Sequence, residues 1–208
     1  MSRSSVSRSL TARIFTGLIV RGRYQLRGVI YPRIRRHGPW ISLGRNVEVS
    51  IQRAGVLRRE RGLIVASNSR LYVRGTLSIG QQVFIGRGSN LSVFESVTIG
   101  DQVRIAEGVS IHDENHVFEP IPVLSSDRNL YTTRPVSIGA RTWIGCNVSI
   151  LAGVEIGADC VVAAGSVVTG SFPNGVLIAG SPARVVRELK RAEDPAVLRD
   201  VKAMTADG

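Results

Sequence analysis

The sequence contains little cysteine and few aromatic residues. Its two cysteines, Cys146 and Cys160, are too few for a disulfide-stabilised scaffold, so we predict that both are reduced and that the protein is cytoplasmic. Aromatic residues make up only 5% of the chain, which indicates that small branched side chains rather than large rings fill the core. Hydrophobic residues still make up 43% of the 208 residues, enough for the packed core of one ordinary domain.

Long apolar runs are also missing. No stretch approaches the ~20 apolar residues of a membrane-spanning helix. The run IFTGLIV is too short for a secretory signal, and no small-residue cleavage site follows it. The surrounding residues 8–36 mix apolar and basic side chains in a way that is typical of an interfacial helix. We therefore predict that residues 1–40 form a basic segment with a short helix that contacts the inner face of a membrane peripherally.

Lysine and acidic residues are scarce beside arginine. The formal net charge is +11, and the only lysines are Lys190 and Lys202. Residues 1–74 contain 16 arginines against Glu48 and Glu60. Such an excess favours an anionic partner, such as nucleic acid, a membrane or an acidic polymer, or is simply a solvated basic face. Nucleic acid is disfavoured because the arginines are scattered, aromatic residues are not interleaved with them, and no nucleic-acid-binding motif appears.

What the sequence has in abundance is a six-residue repeat. Aliphatic residues recur at every sixth position at Ile138, Ile144, Ile150, Ile156, Val162 and Val168. A second run, with one phase shift of two residues, extends from Ile79 to Ile111. This period fits neither a helix nor simple strand alternation, and it indicates a parallel β-helix in which each side of a coil is one short strand. Stacked coils bury a continuous apolar column that a single repeat cannot form.

The repeat sets the predicted domain boundaries. We predict a β-helix domain over residues 41–181, with irregular edge coils at its start and a corner insertion around Arg58–Gly62. The six-residue repeat is interrupted over residues 112–135, which we interpret as an excursion loop. Long insertions of this kind are usually functional or disordered. Residues 182–208 are predicted to form a C-terminal helix and tail, because their composition is helical and Asp194 precedes a proline.

Residues 136–189 resemble the hexapeptide-repeat acyltransferases, notably the maltose/galactoside and polysaccharide O-acetyltransferase branch. The repeat, Trp143, the AAGSVVT segment and the GSPAR segment occur in the family's order, and the resemblance covers roughly residues 75–190. It implies a left-handed parallel β-helix and transfer of an acetyl group from acetyl-CoA to a hydroxyl of a sugar or polysaccharide precursor. It also implies a homotrimer with active sites between subunits.

The DENH segment that ends at His116 resembles the family's D-x-N-H motif, which implies that His116 is the catalytic base. An imidazole is suited to remove a hydroxyl proton near neutral pH. Asp113 and Glu119 are both candidates to hold its other ring nitrogen. His112 is expected to be a substrate contact or a bystander on the coil wall.

The resemblance also assigns binding residues. Those expected to bind the cofactor are Trp143, Cys146, Ala164, Thr169, Gly170, Arg184 and Arg187. Those expected to bind the acceptor are Asn90, His112 and Asp113. Cys146 stands where the family often has serine or glycine, and Gly170 where it often has lysine or aspartate. The alternative roles are corner packing for the small residues, a subunit contact for Trp143 and solvated charges for the arginines.

Two other functions are compatible with a β-helix. The same fold carries the γ-class carbonic anhydrases, and His112 and His116 would supply two zinc ligands, but a third is missing because His37 is remote in sequence. A non-catalytic β-helix would instead bind anionic polymers through the arginine-rich region, with an affinity that falls steeply with salt. We therefore predict an enzyme without a metal site.

Overall fold

The structure, a computed structural model, describes residues 41–117 and 130–190. The helices predicted near the N-terminus and at Asp194, and the candidate Glu119, lie outside the described residues. Within them the strands of the coil enter three sheets, A, B and C, in rotation, and two further strands form a separate hairpin. Neighbouring coil strands of one sheet are parallel because each coil adds one strand to it, so the predicted parallel β-helix is confirmed. Only the last described strand of sheet A runs antiparallel to its neighbour.

The bounds of the strands follow the three sides of the coil. Sheet A contains β1 (Ile41–Leu43), β4 (Leu63–Val65), β7 (Phe84–Ile85), β10 (Arg104–Ile105), β15 (Trp143–Ile144), β18 (Val161–Val162), β20 (Val176–Gly180) and β21 (Ala183–Glu188). Sheet B contains β2 (Glu48–Ile51), β5 (Arg70–Val73), β8 (Asn90–Val93), β11 (Ser110–His112), β16 (Ser149–Ile150) and β19 (Val167–Val168). Sheet C contains β3 (Val56–Arg59), β6 (Thr76–Ile79), β9 (Ser96–Ile99), β14 (Val136–Ile138) and β17 (Glu155–Ile156).

The aliphatic residues of the repeat stack on one another inside the coil. In sheet B, Leu71 pairs with Leu91, Leu91 with Ile111, and Ile111 with Ile150. All four side chains are buried. Since side chains alternate between the two faces of a strand, the residues on either side of each buried aliphatic point away from the core. The buried column therefore fixes which side chains each coil presents outward.

The coils differ in length in a way that explains the phase shift in the sequence. Leu71, Leu91 and Ile111 pair at intervals of 20 residues, whereas Ile144 pairs with Val162 after 18. The longer coils have four-residue strands in sheet B that bury an additional valine, such as Val93 in β8.

The corner insertion predicted around Arg58–Gly62 is wrong. Strand β3 pairs with β6 without a break, with Arg59 opposite Ile79. The two additional residues of the first coil lie between Ile51 and Val56, where the pairing interval falls from 22 to 20 residues. Arg58 and Arg59 belong to a strand, so their charge does not mark a loop.

The predicted helix does not begin at residue 182. Ala183–Glu188 is strand β21, which pairs antiparallel with β20 and continues sheet A. Arg184 and Arg187 therefore lie on a strand rather than at the start of a helix. The turn between the two strands contains a cis peptide bond before Pro182.

The excursion leaves the coil after His112 and returns before Val136. Its two ends pair as an antiparallel hairpin of β12 (Glu114–His116) and β13 (Tyr131–Thr133). In this hairpin His116 lies opposite Tyr131. The ends of the predicted loop are thus ordered strands, and they hold His116 on a defined element.

Asp113 closes the gap that the departing chain leaves in the stack. Its side chain is completely buried. One carboxylate oxygen accepts a hydrogen bond from Phe94 N at 2.7 Å, and the other accepts from Glu95 N at 2.8 Å and Ser96 N at 2.7 Å. Burial raises the pKa of the Asp113 carboxyl, although the three backbone donors oppose that shift. The carboxylate thus satisfies corner amides that would otherwise lack a partner from the next coil.

A second contact holds the returning strand of the hairpin. The Tyr131 ring packs edge-on against Phe94, with 4.7 Å between the ring centroids. The Arg74 guanidinium lies 4.7 Å from the Phe94 centroid and 5.2 Å from the Tyr131 centroid, and it donates a hydrogen bond to the Tyr131 hydroxyl. The hairpin is therefore docked on the corners of two preceding coils.

We expect Asp113→Asn to lower the free energy of unfolding by about 2–3 kcal/mol, because the amide nitrogen would face a backbone N–H and leave it unsatisfied. Urea denaturation measures the effect. Asp101→Asn is the matched control: Asp101 Oδ1 accepts from Gln81 N at 2.8 Å on the exposed surface, and asparagine retains that acceptor. Equal losses in the two variants would contradict the closing role of Asp113.

We expect Arg74→Ala to increase amide hydrogen exchange in β12 and β13 by roughly tenfold or more, since it removes a hydrogen bond and two cation–π contacts worth about 1–2 kcal/mol together. Arg70→Ala is the control, because Arg70 begins the strand that Arg74 directly follows but contacts Tyr72 and Glu48 instead. Unchanged protection of the hairpin in Arg74→Ala would show that Arg74 does not dock it.

Candidate active site

The outward face of sheet B carries two of the predicted acceptor residues. Asn90 lies opposite Ser110, and His112 lies opposite Ser92 on the same pair of strands. Because alternate residues of a strand point to one face, Asn90 and His112 are diagonal neighbours, whose Cα spacing in a parallel pair is roughly 8 Å. The structure therefore brings these two residues together.

The third predicted acceptor residue does not belong to this surface. Asp113 is buried, and both of its oxygens accept backbone hydrogen bonds from the preceding corner. It is therefore unsuited either to contact an acceptor or to hold the ring of His116. The predictions that Asp113 binds the acceptor or holds the ring of His116 are therefore wrong. Its carboxylate instead accepts the backbone hydrogen bonds of the corner beside the exit of the chain from the coil.

His112 has a carboxylate partner that the sequence analysis missed. Its Nδ1 lies 3.2 Å from Oε1 of Glu114. The side chain of His112 is 32% exposed and that of Glu114 is 15% exposed. The spacing of two residues was visible in the sequence, but the turn at Asp113 that brings the two side chains together was not.

His116 is exposed on the outgoing strand of the hairpin. Alternation along β12 places its side chain on the same side as that of Glu114 and beside that of its cross-strand neighbour Tyr131. Of its two predicted partners, Asp113 is engaged elsewhere and Glu119 lies outside the described residues. The docked hairpin sets the position of the imidazole at the edge of sheet B.

Three predicted cofactor residues lie on sheet A and at its corner with sheet B. Trp143 is 54% exposed on the outward face of β15. Cys146 is exposed at the next corner, and Gly165 N donates a hydrogen bond to its carbonyl at 2.8 Å, which places Ala164 on the coil directly beside it. Side chains this small leave the corner backbone accessible to a ligand.

Thr169 and Gly170 follow the last strand of sheet B, at the opposite end of its strands from Cys146 and Ala164. Ile111, Ile150 and Val168 pair in register, so Thr169 occupies the position of His112 two coils further on, about 10 Å away. Within one chain, the predicted cofactor residues therefore border both edges of the sheet.

The two predicted phosphate-binding arginines are exposed on β21. Arg187 lies opposite Leu177, Leu177 opposite Val161, and Val161 opposite Trp143. Arg187 and Trp143 thus share one outward row of sheet A. Arg184 lies on the same strand, opposite Ala179.

In the described part of the chain, no group of three histidine, cysteine, aspartate or glutamate side chains is placed to hold a metal ion. Nor does any helix in these residues have the length and hydropathy required to cross a bilayer.

Comparisons with known proteins agree with this architecture. The family model described as "Bacterial transferase hexapeptide (six repeats)" matches residues 135–170, and "Hexapeptide repeat of succinyl-transferase" matches residues 76–112. An N-acyltransferase from Bacillus cereus, solved with dTDP-4-amino-4,6-dideoxyglucose and coenzyme A, has a TM-score of 0.58 at 20% identity, and the match covers 85% of this chain and 96% of that one. At this identity the likeness shows the fold alone.

Curated relatives include a probable acetyltransferase of Mycobacterium tuberculosis, 34% identical over 64% of this chain and 47% of its own length. A putative lipopolysaccharide biosynthesis O-acetyl transferase of Escherichia coli is 37% identical over 55% of this chain and 62% of its own length. The chain thus spans about half to two thirds of these two relatives. Galactoside O-acetyltransferase of Escherichia coli is 34% identical over 73% of this chain and 76% of its own length. At this identity and coverage, the chain belongs to the hexapeptide-repeat acetyltransferase family.

Proposed function

We propose that the protein is an acetyl-CoA-dependent O-acetyltransferase whose acceptor is a sugar or a polysaccharide precursor. The observation that supports this most directly is the position of His116 on a docked hairpin beside the polar face that carries Asn90 and His112. The names of the two Escherichia coli relatives, a galactoside O-acetyltransferase and a putative lipopolysaccharide O-acetyl transferase, favour a hydroxyl of a glycan as acceptor.

His116 is the proposed general base. Its imidazole takes the proton of the acceptor hydroxyl as the oxygen attacks the thioester carbonyl carbon of acetyl-CoA. The tetrahedral intermediate collapses as the carbon–sulfur bond breaks, and the imidazolium returns the proton to the sulfur of CoA. Backbone N–H groups stabilise the oxyanion, and both substrates are bound together, so no covalent enzyme intermediate forms.

The cofactor arm is proposed to lie along the coil corners. Cys146 and Ala164 present small side chains at adjacent corners, and Trp143 offers an exposed indole on the neighbouring face. Arg184 and Arg187 are placed to bind the phosphates of CoA, because guanidinium groups form forked hydrogen bonds to phosphate oxygens. Thr169 and Gly170 contact the arm from the opposite edge of sheet B.

We further propose a homotrimer with each active site between two subunits. The cofactor residues border opposite edges of sheet B, which favours a site that takes one group from each of two neighbouring chains. Exposed apolar side chains on sheet A support a subunit contact, since Trp143 is 54%, Val185 47% and Val186 57% exposed. The basic residues 1–40 are proposed to hold this cytoplasmic enzyme at a membrane surface.

We expect His116→Ala to lower kcat by about 10²- to 10⁴-fold, because it removes the group that accepts the hydroxyl proton. The release of free CoA thiol with a panel of methyl glycosides, galactosides first, measures the rate. Thr132→Ala is the control: Thr132 is exposed on the other strand of the same hairpin and is opposite Asn115 rather than His116. Turnover at the normal rate in His116→Ala would refute the assigned base. Stoichiometric zinc in active protein would instead favour a carbonic anhydrase.

We expect Arg184→Ala and Arg187→Ala each to raise the KM for acetyl-CoA roughly tenfold, because each removes a charge-assisted hydrogen bond to phosphate. Acetyl-pantetheine, which lacks the nucleotide and its phosphates, provides the control, and its KM should not change in either variant. If both donors were affected equally, the arginines would act on the fold of β21 rather than on the phosphates.

A further inference from the structure

Glu114 has no role in the function proposed above, and stability alone does not explain its conformation. Its Oε1 lies 3.2 Å from Nδ1 of His112. Its Oε2 is buried and has no hydrogen-bond partner among the described residues. A buried polar atom without a partner is costly, so such an atom in a native structure calls for an explanation. The one hydrogen bond that this carboxylate makes among the described residues is to Nδ1 of His112.

That contact determines what His112 offers to a ligand. In a neutral imidazole one nitrogen carries hydrogen and the other accepts, and a carboxylate at Nδ1 favours hydrogen on Nδ1. Nε2 is then a hydrogen-bond acceptor. Because the side chain of His112 is 32% exposed on the outward face of sheet B, diagonal to Asn90, this acceptor is available at the acceptor surface.

The two imidazoles of the site belong to different elements. His112 is the last residue of a coil strand that pairs with β8 and β16, whereas His116 lies on the hairpin. Only His112 has a carboxylate against its ring among the described residues. This division suits two tasks, in which the coil recognises the acceptor and the hairpin removes its proton.

We propose that Glu114 is a positioning residue that fixes His112 in the Nδ1–H tautomer, so that Nε2 accepts a hydrogen bond from a second hydroxyl of the acceptor. This inference rests on the proposed function and narrows its substrate class. The acceptor is a polyhydroxylated sugar that needs two free hydroxyls, one that His116 deprotonates and one that His112 binds. A sugar that lacks the second hydroxyl leaves Nε2 without a partner and is a poor substrate.

The tautomer is tested on the full-length protein without any acceptor. Long-range proton–nitrogen spectra of histidine-labelled protein at neutral pH should show hydrogen on Nδ1 of His112. The tautomer should persist in Glu114→Gln, because the amide oxygen accepts the same hydrogen bond, and should be lost in Glu114→Ala. Hydrogen on Nε2, or on both nitrogens, in the unsubstituted protein would overturn the proposal.

The recognised hydroxyl is tested with monodeoxy derivatives of the best glycoside acceptor. The unsubstituted enzyme should discriminate against one derivative, besides the one that lacks the acetylated hydroxyl, by about tenfold or more in kcat/KM. His112→Ala and Glu114→Ala should abolish that discrimination, whereas Glu114→Gln should retain most of it. A structural role alone would lower all rates and leave the pattern unchanged.

The outcomes separate this inference from the proposed function. If His112→Ala and the unsubstituted enzyme both acetylate glycosides and discriminate equally among the monodeoxy derivatives, the proposed role of His112 is wrong. The proposed acetyltransferase activity would then still stand. If the enzyme acetylates no glycoside in the panel, the proposed function is contradicted. The proposed recognition of a second hydroxyl, which rests on that function, is then contradicted as well.

Discussion

The structure depends on the stacking of branched aliphatic side chains in register from one coil to the next. Leu71, Leu91, Ile111 and Ile150 form one such column in sheet B. The column is narrow, so a buried position accepts only a limited range of side-chain volumes, and a slip by one residue would turn every buried side chain to solvent. Strands of two to four residues, too short to be stable alone, therefore keep a fixed register. Asn90 and His112 owe their common face to it.

The candidate site lies where this stack is interrupted. Where the chain leaves the coil, a buried carboxylate replaces the missing backbone of the next corner, and the hairpin is held a second time by a guanidinium packed against two rings that also contact each other. Asp113 directly precedes the strand that carries His116, and Tyr131 lies opposite His116 on the other strand of the hairpin. The position of the imidazole thus follows from contacts that tie an insertion to coils formed earlier in the chain.

Much of the coil was predictable because the six-residue repeat of aliphatic residues is visible in the sequence. The aliphatic at every sixth residue and the interruption after Ile111 need only the local pattern. The strand Ala183–Glu188 was not predicted, because its arginine, glutamate and valine residues have no clear period and pairing with β20 overrides their helical composition. Arg58 and Arg59 were misplaced for a related reason: Arg58 is exposed, and the edge coil leaves even Arg59, which pairs with the buried Ile79, only partly buried.

Residues of the candidate site can be proposed from the sequence where a motif marks them, but not where distant residues meet. His116 and the small corner residues stand in recognisable segments. Asp113 was misassigned because burial at the exit from the coil, rather than proximity to a histidine, decides what its carboxylate binds. The contact between Arg74 and Tyr131 joins residues 57 positions apart, and no local pattern indicates it.

The reversal of β21 against β20 has a consequence for assembly. A parallel coil that ended on an unpaired strand would present a row of free amide and carbonyl groups, on which a second molecule could add a further rung end to end. The reversed strand occupies that row, and it replaces it with an outer edge bearing the exposed charges of Arg184, Arg187 and Glu188. The same residues that are proposed to meet phosphate therefore give the end of sheet A a charged edge, which disfavours pairing with a second molecule.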